Sequence, residues 1–347
     1  MITTRSFGFT PDGKQATLYT LVSGTGLEVS ITDLGGTLVS INVPGGNGKK
    51  TDVLLGYDSV EGYFPNVGYI GALIGRVGNR IAAGRCEVNG VELRLAQNSH
   101  GQHLHGGNVG YDHIFWSAQP DEANDRLILK HLSPDGDEGY PGNLEITVIY
   151  SVAENELMIS YEATTDRDTI VNLTNHAYFN LSGCAGDIMN HIASINADYY
   201  TPVDDKLIPT GEIRPVDDTP FDLRKPVRLG DRLALSDECE QMKKGGGFDH
   251  NFCLNASGMR ECMSFFCPST GITMKVSTDQ PGVQFYTANT LCAVNPGKGG
   301  ASYGKRAGFC VETQNYPDAV NHPNFPTPVL KAGERYSTKT TFKFSVK

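Results

Sequence analysis

The sequence has no Cys-x-x-Cys pair, no basic tract and no apolar run near the roughly 20 residues a membrane span needs. Each absence removes a class of function. The opening stretch "MITTRSFGFTPDGK" lacks the apolar core of a secretory signal, so a cytoplasmic location without a membrane partner is expected. The formal charge of −10 leaves lysines and arginines scattered rather than striped, which argues against nucleic acid as a partner. The eight cysteines are expected to be reduced and mostly buried thiols, with disulfides the lesser alternative. The sequons at Asn172, Asn180 and Asn255 then carry no weight. "GGNGKKT" and "NPGKGGAS" resemble phosphate loops only in composition, and no nucleophile elbow is present.

Helical periodicity is scarce too. Short helices are expected at "DSVEGYF" (58–64) and "RLGDRLALSDECEQ" (228–241), neither long enough to cover a sheet. What is abundant is alternation. "LEITVIYSV" places Leu144, Ile146, Val148, Tyr150 and Val152 on one parity, and "ELMISYEATT" does the same with Leu157, Ile159, Tyr161 and Ala163, which predicts a hairpin. The C-terminal "RYSTKTTFKFSVK" alternates with Tyr336, Thr338, Thr340, Phe342, Phe344 and Val346 inward. "LEVSITDL", "TLVSINVP", "GITMKVST" and "GVQFYTA" are further strands. The 40 glycines and 18 prolines form short turn clusters along the chain, such as Pro44-Gly45-Gly46-Asn47-Gly48, and no linker divides it. Strands without helices to cover them must bury one another, so the expected fold is all-β, sheets packed face to face in one domain over residues 1–347.

Several strands carry an unusual second face. In "TIVNLTNHAYFNL" (169–181), Val171, Leu173, Ala177, Phe179 and Leu181 read as a core face, while Asn172, Thr174, His176 and Asn180 share the other. That second face is polar yet has none of the Lys and Glu of a solvated strand. A histidine there is ordinarily a surface or hydrogen-bonded residue, and this strand alone does not decide. In "AGFCVETQNYP" Glu312 opposes Phe309, Val311 and Thr313; in "FDHNF" Asp249 opposes Phe248, His250 and Phe252; in "PGVQFYT" Gln284 opposes Val283 and Phe285. "HLHGG" holds His103 and His105 on one parity, as a metal-binding pair would be, although no carboxylate follows where such a site would want one. "GRVGNRI" offers Arg76, Asn79 and Arg80, with surface arginines or a structural salt bridge as the plain alternatives.

This inventory of Arg, His, Asp, Gln, Asn and aromatic groups suits a neutral polyol, with an ionised glutamate as base and a histidine as acid if catalysis occurs. Glycoside hydrolysis would need two carboxylates, which Glu312 and Asp249 could supply.

"GRVGNRI" (75–81), "HLHGG" (103–107), "SPDGDEGYPG" (133–142), "TNHAYFNL" (174–181), "FDHNF" (248–252), "PGVQFYT" (281–287) and "VETQNYPDA" (311–319) occur in the order and spacing of the aldose 1-epimerase family, which the sequence resembles over nearly its whole length. The one departure noted is Gly78, where alanine is common. The resemblance implies a large antiparallel β-supersandwich with an open cleft for a pyranose. It implies Glu312 as the base that takes the C1 hydroxyl proton and His176 as the acid that protonates the ring oxygen. Asn79, Arg80, His105, Asp249 and Gln284 would bind the sugar. No metal and no other cofactor is implied, and the partner is a monosaccharide, galactose or glucose, for a monomer or weak dimer. The alternatives are a hexose-6-phosphate 1-epimerase, for which no added cationic cluster is visible, and a non-catalytic sugar-binding regulator.

Overall fold

The computed structural model describes residues 1–45, 48–184 and 186–347, so part of the predicted turn at 44–48 lies outside the described residues. Alternation becomes sheet almost everywhere it was read. Leu144–Ala153 and Glu156–Thr165 form the predicted hairpin, and Arg335–Val346 pairs with its second strand. These strands lie in a nine-stranded antiparallel sheet whose other members include Arg126–Ser133, Ile272–Thr278 and Arg260–Phe266. A six-stranded antiparallel sheet runs in the order Tyr178–Phe179, Phe309–Gln314, Gly282–Tyr286, Asp249–Cys253, Tyr199–Thr201, Arg214–Pro215. A third sheet of five strands covers Ile2 to Asp52.

The two larger sheets meet through aromatic side chains. Phe265 of the nine-stranded sheet stacks on Phe309 of the six-stranded one at 4.5 Å between ring centres, and Phe342 meets Phe179 at 5.1 Å. Tyr150 reaches the five-stranded region, donating its hydroxyl proton to the Gly36 carbonyl at 2.7 Å. One apolar cluster joins Leu21, Val29 and Ile41 to Leu129, Val148, Phe265 and Phe309, so both smaller sheets pack on the inner face of the largest. Burying each such ring contributes about 1.5–3 kcal/mol. This is the predicted all-β sandwich, among the described residues with three main sheets and two short α-helices, Leu229–Leu233 and Glu240–Gly245. "DSVEGYF" holds only a turn of 3₁₀-helix, Val60–Tyr63. No described helix is long and apolar enough to cross a membrane.

Two expectations need correction. The strand read across 169–181 is broken into Thr169–Ile170, Thr174–Asn175 and Tyr178–Phe179, each paired to a different partner. Both of its parities are buried, because it threads between layers instead of lying on one sheet. Along Arg335–Val346, Thr341 is buried although its parity points outward, and Val346 is 38% exposed where the strand ends. All eight cysteines are free, and Cys292 is the exposed one.

Candidate active site

Register puts the site together on the six-stranded sheet. Directly opposite residues of antiparallel strands share a face. Glu312 lies opposite Gln284, and Gln284 opposite Asn251. One step along, Cys310 lies opposite Tyr286 and Tyr286 opposite Asp249. The other face carries Phe309, Phe285 and Phe252 into the core, so the acids turn away from it. They do not meet bulk water. Short ribbons cover this face, among them Leu73–Ile74, Arg80–Ile81 and His103–Leu104, and the broken 169–181 segment docks on them: the His176 amide donates to the Ala72 carbonyl at 2.9 Å and the Gly71 amide to the His176 carbonyl at 3.0 Å.

Between sheet and ribbons lies a cleft of about 350 Å³ lined by Asn79, Arg80, His105, His176, Asp249 and Glu312. Gln284 stands one step behind, donating from Nε2 to Asp249 Oδ1 at 2.7 Å. His176 Nε2 faces Glu312 Oε1 at 3.6 Å, both side chains almost wholly buried. Glu312 Oε2 and Gln284 Oε1 are buried without a hydrogen-bond partner in the protein, an arrangement costly unless something polar docks there.

The two histidines are held differently. His105 Nδ1 accepts the Asn79 backbone N–H at 3.1 Å, which leaves its ring proton on Nε2, while the His105 amide donates back to the Asn79 carbonyl at 3.1 Å. Both residues adopt left-handed backbone, φ 61° at Asn79 and 51° at His105, and this reciprocal pair of bonds stabilises it. His176 Nδ1 lies 3.5 Å from the Cys310 sulfur. A histidine that delivers its Nε2 proton is left with hydrogen on Nδ1, and this sulfur is the acceptor beside it. Rings of Tyr69, Tyr178 and His105 pack around His176 at 5.8, 5.1 and 5.2 Å.

Burial dominates the proton equilibria. It brings His176 down to about 4. It also raises Glu312 well above the usual carboxylate range, helped by the negative charge of Asp249 and opposed by Arg80. Asp249 is raised by burial against the pull of Arg80 and Gln284, and His105 is pushed far down by burial and then by His176 and Arg80. Burial thus weighs against the ion pair of an ionised Glu312 with a charged His176 and toward the neutral pair. The pair holds one proton in either arrangement.

Some sequence candidates lie elsewhere. Arg76 is buried at 1% exposure, donating to the Ser133, Pro134, Pro141 and Gly142 carbonyls and to the Ser133 and Thr169 hydroxyls, so it ties the 133–142 loop to the ribbons. The His103–His105 metal pair does not form. Both ring nitrogens of His103 are engaged, by the Ala96 carbonyl at 2.8 Å and the Tyr140 hydroxyl at 2.5 Å. Among the described residues, the group whose ligand atoms do converge, within 4.8 Å, is His105, His176 and Glu312. Asn172 and Asn180 are structural: Asn172 exchanges bonds with the Asn315 backbone, and Asn180 donates to the Gly186 and Ala307 carbonyls. Tyr69, Tyr178, Tyr286, Lys243 and Lys244 also line the cleft and were not singled out. The aromatic pair Tyr178 and Tyr286 could have been found from parity, since each shares the face of a polar neighbour already noted.

Comparison with known proteins gives the family and the fold. A family model described as aldose 1-epimerase matches residues 17–343. Galactose mutarotase of Homo sapiens is 45% identical over 347 residues, covering 99% of both chains, and aldose 1-epimerase of Escherichia coli is 38% identical over 340 residues, covering 96% of both. Among solved structures, galactose 1-epimerase from Lactobacillus acidophilus superposes with a TM-score of 0.86 at 28% identity, covering 100% of this chain and 99% of its own. An aldose epimerase homologue from C. elegans gives 0.88 at 28%, covering 95% and 98%. The chain belongs to the aldose 1-epimerase family.

Proposed function

We propose that the chain interconverts the α and β anomers of a free aldohexose, galactose or glucose, by acid–base ring opening. The observation that carries this reading is His176 Nε2 facing Glu312 Oε1 at 3.6 Å across a cleft rimmed by hydrogen-bonding groups. Glu312 takes the proton of the C1 hydroxyl as His176 gives one to the ring oxygen, and the C1–O5 bond breaks to the aldehyde. Rotation about C1–C2 presents the other face, and the reverse transfers close the ring. The arrangement that burial favours, with the proton on Glu312, is the one occupied at the open-chain stage. Ring opening thus begins from the ion pair and moves both groups toward their preferred neutral forms. Arg80 opposes the burial cost of the Glu312 anion, and His105 offers a fixed Nε2–H to a sugar oxygen. Asp249, braced by Gln284, and Asn79 are the remaining sugar ligands in this reading.

One of the two lysines lining the cleft is already paired, which weakens the case for a 6-phosphate. Lys244 at the rim is neutralised by Asp205 at 3.3 Å and Glu240 at 3.0 Å. In this reading the chain is a single domain over residues 1–347 that works in the cytoplasm as a monomer or weak dimer. The test is polarimetry of freshly dissolved α-D-galactose in a weakly catalytic buffer. Acceleration to the same final rotation is expected; tight galactose binding by calorimetry without acceleration would instead leave a sugar-binding regulator.

A further inference from the structure

Arg306 is a cation that the proton chemistry does not use, 9% exposed and set behind the residues that line the cleft. Its guanidinium joins two segments. Nη1 donates to the Thr287 carbonyl at 3.0 Å, to the Thr287 hydroxyl at 2.9 Å and to the Asn289 side-chain oxygen, while Nη2 donates to the Gly246 carbonyl at 2.7 Å. Asn289 completes the bridge, donating from Nδ2 to the Gly245 carbonyl at 2.5 Å and the Phe248 carbonyl at 2.8 Å.

Both segments face the cleft. Gly245 and Gly246 line it at the end of the helix Glu240–Gly245, and Tyr286 and Thr290, which flank Thr287 and Asn289, line it too. The helix end explains why donors are wanted here. Gly246 takes left-handed backbone at φ 68°, and the amides of Gly246 and Gly247 turn back to the Lys243 and Met242 carbonyls at 3.2 and 2.8 Å. The Gly245 and Gly246 carbonyls are left outside that turn, and Asn289 and Arg306 meet them. Gly247 makes room: a Cβ there, at φ 143°, would stand 2.6 Å from both Nη1 and Nη2.

Charge is not what the arginine contributes. Each of these acceptors is neutral, and a buried charge without an acid costs more in desolvation than an apolar side chain of similar volume. The guanidinium supplies a rigid fork of donors that reaches two segments at once. One of those segments backs a proposed sugar ligand, since a Cβ on Gly245 would lie 3.3 Å from the Asp249 Cβ. The other carries Tyr286, directly opposite Asp249 in the sheet.

Resting on the reading of this cleft as an aldohexose site, we propose that Arg306 is a positioning residue that sets where the wall bearing Asp249 and Tyr286 stands against the sugar. Its effect falls on binding. His176 is held by its own backbone bonds to Gly71 and Ala72 and Glu312 by its register with Gln284, so the proton transfers keep most of their rate.

The experiment measures KM and kcat for α-D-galactose by polarimetry, galactose Kd by calorimetry and Tm, in the wild type, Arg306→Lys and Arg306→Gln. Neither side chain can span both segments. The expected result in each variant is KM and Kd raised about five- to tenfold, with kcat within about twofold of wild type. In an Asp249→Asn background, Arg306→Lys should raise KM by less than about twofold, because the ligand that the clamp positions is already impaired. A role in stability alone lowers Tm and leaves KM and Kd unmoved; that outcome overturns the proposal, as does an undiminished KM rise in the Asp249→Asn background. If Arg306→Lys does not fold, Arg306→Gln, which removes the buried charge, serves in its place. The wild type separates this inference from the function it rests on. Binding without acceleration removes the catalytic assignment and leaves the Kd ratios to decide on Arg306, whereas a wild type that does not bind galactose overturns both.

Discussion

On the nine-stranded sheet, the face turned from the core carries Glu145, Glu162, Lys275, Lys339 and Lys343, the charged coat of a solvated strand. The corresponding face of the six-stranded sheet carries Cys310, Glu312, Gln314, Gln284 and Asn251, all buried. The alternation that builds both sheets is identical. What differs is the cover: solvent over one, the ribbons bearing Asn79, His105 and His176 over the other. A carboxylate at matched strand positions is therefore hydrated in one sheet and stripped of water in the other, where the proposed proton transfer is placed.

The sharpest way to break this comparison is to neutralise one acid on each face. Glu312→Gln should lower kcat by about 10²–10⁴-fold with a much smaller change in KM, and His176→Asn should do the same, read by polarimetry at saturating sugar. Near-normal turnover in either would remove the acid–base assignment. Where the faces join, Phe265→Ala should cost about 3–5 kcal/mol in denaturant unfolding, since its ring spans the two sheets against Phe309.

A pH series sharpens the contrast further. The unfolded chain protonates an imidazole near about 6.5, whereas the folded chain holds His176 neutral down to about 4. The unfolded state therefore binds more protons in that window, so His176 lowers stability as pH falls through it and has no such effect above. Glu312, raised by burial, takes up its proton earlier in the folded state and opposes this. The fall in Tm between about pH 6.5 and 4 should be shallower in His176→Asn than in the wild type; an unchanged slope would show that the buried imidazole is not what titrates.

Smaller effects follow. Cys310→Val removes the sulfur beside His176 Nδ1 and should lower kcat by about two- to tenfold, the worth of one ordinary hydrogen bond, with KM little changed. Least of all, Glu162→Gln on the solvated face loses an exposed pair with Arg335 at 2.6 Å. It should shift stability by under about 1 kcal/mol and leave turnover unaltered.

Period-two alternation was enough to place Glu312, Asp249 and Gln284 opposite the core, because a strand's geometry assigns faces from its own residues. Ordered motifs were enough to point to His176, His105, Asn79 and Arg80. Neither could say that 169–181 breaks into three pieces, that Asn172 and Asn180 serve backbone groups, or that Arg76 belongs to a loop anchor. Nor could they show Lys243 and Tyr69 reaching the same cleft. Those outcomes depend on which distant segments meet: His176 and Glu312 are 136 positions apart in the chain. Sequence by itself determined the strand faces, the all-β class and the family, since these are local or motif properties. Only the tertiary structure decided which polar face is roofed, and with it which carboxylates lose their water and shift their proton equilibria, because desolvation is set by what packs on a residue from elsewhere in the chain.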